Sequence, residues 1–201
     1  MSTTGGTWMP HTPGWVVPPV SEIADAHLLA YGMLRTTRLP WVVGVAAAIS
    51  WVRGGRVGPV TERTEQPVTR DIAGAERWAA EAARDPGNPP PMDVIYTQLR
   101  VAPMPPVHGL DANYCVGSWR ALRWILGVPG QDPPLRIPRR HPDGHVYVAA
   151  DLYAEATRGD DSHLAIERRR EIQLAADFWA AQYLHTAAQI RDIQRNLTAG
   201  S

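Results

Sequence analysis

A chain of 201 residues, 44% of them hydrophobic, is long enough to bury one core, as a single domain or as two small repeats. Twenty basic residues balance twenty acidic ones, which argues against a generic polyanion binder. The single cysteine, Cys115, excludes an internal disulfide, and Met1 to Gly6 lack the basic start and apolar core of a secretory signal; a cytoplasmic chain with no membrane partner is expected.

Residues 1–20 read as an extended arm, because Gly5, Gly6, Pro10, Pro13, Pro18 and Pro19 preclude a regular element. The arm carries Trp8 and Trp15, which need cover and are expected to dock on the chain's own domain in preference to a neighbouring subunit. Ser21 is the expected cap of a first helix reaching Arg35, with Ile23, Leu28, Tyr31 and Leu34 roughly on one side. The most apolar stretch, Leu39 to Val52, lies between Arg38 and Arg53. As a helix it measures about 21 Å, short of a hydrocarbon layer of about 30 Å, so it reads as a buried helix. Val42, Ala46, Ile49 and Val52 form its core face, and Gly54 falls where a helix C-terminus favours positive φ. Val60 to Thr69 is expected to be an extended pair with a weak turn, and a helix follows from Asp71 to Arg84.

The stacked prolines of residues 86–91 make a linker, and beyond it the pattern repeats. Tyr31, Leu34 and Arg35 recur as Tyr96, Leu99 and Arg100. Val43, Gly44, Ala48, Ile49, Trp51, Val52 and Gly54 recur as Val116, Gly117, Ala121, Leu122, Trp124, Ile125 and Gly127. Ala75, Ala80, Glu81, Ala82 and Arg84 recur as Ala149, Ala154, Glu155, Ala156 and Arg158. The offsets of 65, 73 and 74 place an insertion of about eight residues near Pro103 to Asp111. Cys115, Trp119, Leu122 and Ile125 take the core positions of the second copy. Trp51 and Trp124, pointing away from the positions of Ile49 and Leu122, are expected to pack between the copies. Leu135 to Pro138 and His145 to Val148 would flank a tight turn at 141–144, with a helix from Ala150 to Arg158. Residues 160–201 hold a long amphipathic helix, Ser162 to Leu197, whose stripe includes Ile172, Trp179, Tyr183 and Ile190. At about 54 Å it exceeds what one compact domain needs, so either it straddles both copies or part of it protrudes and pairs with another subunit.

The fold expected is therefore mainly α: a tandem duplication of a helix–helix–hairpin–helix unit, residues 21–85 and 92–159, followed by the long C-terminal helix. Three readings of function follow. The leading one is a non-catalytic interaction or assembly protein, self-associating as a homo-oligomer through the C-terminal helix, with Trp8, Trp15, Trp179, Tyr183 and Ile190 as interaction residues. The second is a DNA-binding regulator with a winged-helix-like hairpin, using Arg139, Arg140, Arg168, Arg169 and Arg170. Glu167 and Glu171 can pair with that run at helical spacing, which favours a solvated face. The third is an enzyme with Cys115 as nucleophile, His108 as base and Asp111 as orienting acid. A core position for Cys115 argues against it. His141, Asp143 and His145 lack further ligands, so no metal or cofactor is expected, and no glycine-rich phosphate loop or other catalytic motif occurs.

Overall fold

The computed structural model describes residues 12–35, 37–138, 140, 141, 143–145, 151, 174, 181, 184–193, 195 and 196. These residues are mainly helical, with no strand among them. The first helix, α1 (Val20–Leu34), starts one residue before Ser21, which therefore lies inside it. Pro19 is its N-cap, with φ −54° already near the helical value and a carbonyl that accepts from the Ile23 N–H at 3.1 Å. Ile23, Ala26, Leu29 and Ala30 form its buried face, while Tyr31, read as apolar-side, is exposed.

The helix α2 (Pro40–Val52) follows five residues later, with proline at its N-terminus, and is buried over most of its circumference. That answers the expectation for the most apolar stretch. The helix α3 (Arg70–Arg84) is capped by Thr69, whose hydroxyl accepts from the Ile72 N–H at 3.2 Å. A short α4 (Met92–Leu99) follows the prolines and stops at Arg100, in the left-handed region with φ 53°. Asp111 caps α5 (Ala112–Ile125), accepting from the Asn113 and Tyr114 N–H groups at 2.8 and 3.1 Å. Residues 184–193, 195 and 196 are also helical. No helix among the described residues is long and apolar enough to cross a membrane.

The centre of the molecule is the crossing of α2 and α5, the most extensive helix pair. A β-carbon on Gly117 would stand 1.9 Å from the Trp41 carbonyl oxygen, and one on Gly44 would stand 2.1 Å from the Tyr114 carbonyl oxygen. The Ser118 hydroxyl donates to the Gly44 carbonyl at 3.2 Å across the same contact. Gly44 and Gly117 are 73 residues apart, as are Trp41 and Tyr114, so the crossing looks alike from either helix. The two C-termini also close alike. Gly55 N–H bonds the Ser50 carbonyl at 2.9 Å and Val128 N–H bonds Arg123 at 3.0 Å, with φ of 108° at Gly54 and 69° at Gly127. Trp51 and Trp124 are both buried in the larger of two core clusters among the described residues.

The first helices of the two expected units differ. Helix α1 packs on α2, the next helix of its unit, whereas α4 is about half as long and lies against α3. A twelve-residue connection precedes α5, against five before α2, and leaves α4 free to settle elsewhere. Helix α3 in turn packs on α5, across the linker.

The hairpin expected at Val60 to Thr69 is absent. Gly58 N–H bonds the Arg63 carbonyl at 2.8 Å, but the N–H groups of Val60 and Thr61 point to the Glu76 carboxylate at 2.6 and 3.0 Å, with no neighbouring strand to receive them. At the second site the tight turn is present: Gly144 N–H bonds His141 O and His141 N–H bonds His145 O, both at 2.8 Å. The continuation of that arm, 146–148, lies outside the described residues.

Candidate interaction surfaces

Two surfaces stand out, one cationic and aromatic, one apolar. On α3, Arg77, Glu81 and Arg84 fall four and three residues apart and share a face. Helix α5 sets Trp119 and Arg123, also four apart, against that face. The Arg84 guanidinium lies 4.2 Å from the Trp119 ring centroid and that of Arg123 lies 4.5 Å from it, within cation–π range. The Trp119 indole N–H donates to Glu81 Oε2 at 3.1 Å, and Glu81 Oε1 stands 3.6 Å from Arg84. Arg77 covers its neighbour Trp78 at 3.7 Å. Burial holds the Arg77 guanidinium below its usual range; Glu81 opposes that and Arg123 adds to it. Trp119, expected to be a core residue, is thus half-buried and faces α3.

The apolar surface is a groove of about 390 Å³ between α1, α2 and the loop after α2. Tyr31, Leu34, Val43, Ala47, Trp51 and Val57 line it, and Tyr31, Val43 and Val57 remain 48, 36 and 49% exposed. Apolar side chains gathered this way gain about 25 cal/mol for each Å² that a partner covers.

The chemistry proposed for Cys115 finds no support in its surroundings. Cys115 is fully buried in α5, and burial, with the charge of Asp111, pushes its thiol up, away from the thiolate a nucleophile needs. Asp111 is occupied as a cap, and His108 is exposed on its loop. His141 Nε2 stands 3.1 Å from Asp151, and among the described residues no group of three or more His, Cys, Asp or Glu side chains is placed to hold a metal.

The interaction residues read from sequence separate. Trp15 docks on its own domain: its indole donates to the Val68 carbonyl at 2.9 Å, and its carbonyl accepts from Arg70. Ile190 is 2% exposed in the main core, and Ile193 reaches into the space beside Gly32 of α1. Trp8, Trp179 and Tyr183 lie outside the described residues. Of the arginines offered for DNA, Arg140 donates to Asp25 Oδ2 at 2.8 Å and to the Gly144 carbonyl at 3.0 Å. Arg139, Arg168, Arg169 and Arg170 lie outside the described residues.

Neither surface was named from sequence. Arg77, Glu81 and Arg84 resemble any solvated helix face, and only the arrival of Trp119 from α5 makes them a cluster. Comparison with protein-family models, with curated proteins and with solved structures returned no match to this chain.

Proposed function

We propose that the protein is a non-catalytic, self-associating interaction protein, built from two diverged copies of one unit, with the groove between α1 and α2 as its contact surface. The groove is the observation that carries this. Val43, Ala46, Ala47 and Ser50 on its α2 wall stand 73 residues before Val116, Trp119, Arg120 and Arg123 of α5, of which Trp119 and Arg123 meet side chains of α3 while Arg120 is exposed. In one half of the fold the position of Ala46 is thus a tryptophan docked on another helix; in the other it lines an open apolar groove. A second copy meeting the first across a two-fold axis would cover both grooves with one self-complementary patch. Ile190, spent within the chain's own core, is not part of that contact.

Light scattering during size-exclusion chromatography at several concentrations tests this. The wild-type chain is expected to run as a dimer that dissociates on dilution. Val43→Arg, placing a charge in the groove, should give a folded monomer with unchanged circular dichroism. Ile190→Asp should lower the melting temperature, as a core lesion does. A wild-type monomer at every concentration, or a dimer indifferent to Val43→Arg, would sink the proposal.

A further inference from the structure

We propose that Arg77, Arg84 and Arg123 form an oxyanion site on the surface where α3 meets α5, with a phosphate-type group as its ligand. Three guanidiniums gather there from two helices, and Glu81 is the carboxylate set against them. Both oxygens of Glu81 are already engaged, one near Arg84 and the other by the Trp119 indole. That leaves an excess of two positive charges in a half-buried cluster, where like charges repel more strongly than in water. The Nε atoms of Arg84 and Arg123 are buried and have no acceptor. Stacking on the indole satisfies the flat face of a guanidinium but not the N–H groups on its edge; the Arg84 side chain stays one-third exposed, and it is from that side that an anion would meet the cluster.

The missing component is an acceptor with several oxygens and two negative charges. A phosphate group supplies both, and the planar guanidinium fork matches pairs of its oxygens. A single carboxylate would leave one positive charge uncompensated. The cluster is built from well-separated parts of the sequence, Arg77 and Arg84 on one helix and Arg123 on another, and it is distinct from the groove, so each site stands or falls alone.

Isothermal titration and thermal unfolding of the full chain test the site, with inorganic phosphate and O-phosphoserine at an ionic strength matched with sodium chloride. Saturable binding and a rise in melting temperature beyond that given by chloride are expected. Arg77→Gln with Arg123→Gln should weaken binding at least tenfold, while Arg191→Gln, an exposed arginine outside both the cluster and the groove, should leave it unchanged. Tighter binding of phosphoserine would assign the site to phosphorylated chains; tighter binding of inorganic phosphate, to small free anions. Should the double variant fold poorly, Glu81→Gln gives an independent reading. Removing the rival carboxylate should tighten phosphate binding severalfold. No phosphate effect beyond chloride, or unchanged affinity in both Arg77→Gln/Arg123→Gln and Glu81→Gln, overturns the assignment.

Discussion

At the scale of single residues, His27 shows how a fold sets a side chain's chemistry. It lies on α1 with its Nδ1 2.9 Å from the Arg53 guanidinium and its ring edge-on to Tyr31 at 4.9 Å between centroids. Because arginine can only donate, Nδ1 accepts, and the imidazole is neutral with its proton on Nε2. Burial, and then the charge of Arg53, push its pKa down from 6.5 to about 4. The unfolded chain therefore takes up a proton at a higher pH than the folded chain does. The contribution of His27 is complete above pH 6.5 and is lost as the pH falls towards 4. Urea midpoints measured across that window should fall more steeply for the wild-type chain than for His27→Gln. Parallel profiles would refute it. A histidine in the run Asp25-Ala26-His27-Leu28 reads as ordinary, since Arg53 reaches it only through the packing of α1 on α2.

At the scale of elements, the loop before α3 is held by charge. Arg63 and Glu76 are both fully buried, with Arg63 Nε 3.3 Å from Glu76 Oε2 and 3.1 Å from the Thr61 hydroxyl. Thr61 in turn donates to Glu76 Oε2 at 2.6 Å, so Glu76 accepts from two backbone N–H groups and one hydroxyl besides meeting the guanidinium. The Val60 carbonyl then accepts from Val107 at 2.9 Å, and Tyr114 donates to Pro59 at 2.8 Å, tying the connection before α5, and α5 itself, to the same loop. Arg63→Met leaves Glu76 buried and without its counter-charge, which should cost about 3–5 kcal/mol in denaturant unfolding. A loss below about 1 kcal/mol, the range of an exposed pair, would show that the network is wet. The run from Val60 to Thr69 is rich in valine and threonine, which favour extended backbone, and that is why an extended pair is the natural reading of it. The carboxylate that takes its backbone donors comes from a helix more than a dozen residues away, and Glu76 looks like a surface residue until α3 is docked.

At the scale of the whole molecule, the crossing of α2 and α5 decides the architecture, and its closeness depends on two glycines. Adding one methyl at Gly117 or at Gly44 drives it into a backbone carbonyl, which no side-chain rearrangement relieves. Each single alanine should destabilise the chain by about 2 kcal/mol or more. The pair should cost less than the sum, because helices already separated by the first methyl make room for the second. Gly74 on α3 is the control: its added carbon would meet only Leu99, at 3.5 Å. Gly74→Ala should therefore stabilise by about 0.5–1 kcal/mol through the entropy of the unfolded chain. Equal effects at Gly74 and Gly117, read from urea midpoints, would mean that the crossing is looser than the structure gives it.

The local rules of the chain were enough to announce the helices. Apolar spacing along a helix and glycine after its last turn act within a few residues, so α2 and α5 are legible directly, whereas the caps Thr69 and Asp111 appear only in the structure. The matching glycines of α2 and α5 were legible in the same way, as a repeated spacing. What covers each helix was decided by distant parts of the chain. Burial is a property of pairs: α4 turned to α3, Ile190 went into the chain's own core, and Trp119 became the meeting point of three charged side chains. Spacing along one helix states which residues share a face; only the packed fold says whether that face meets a core, a carboxylate or nothing.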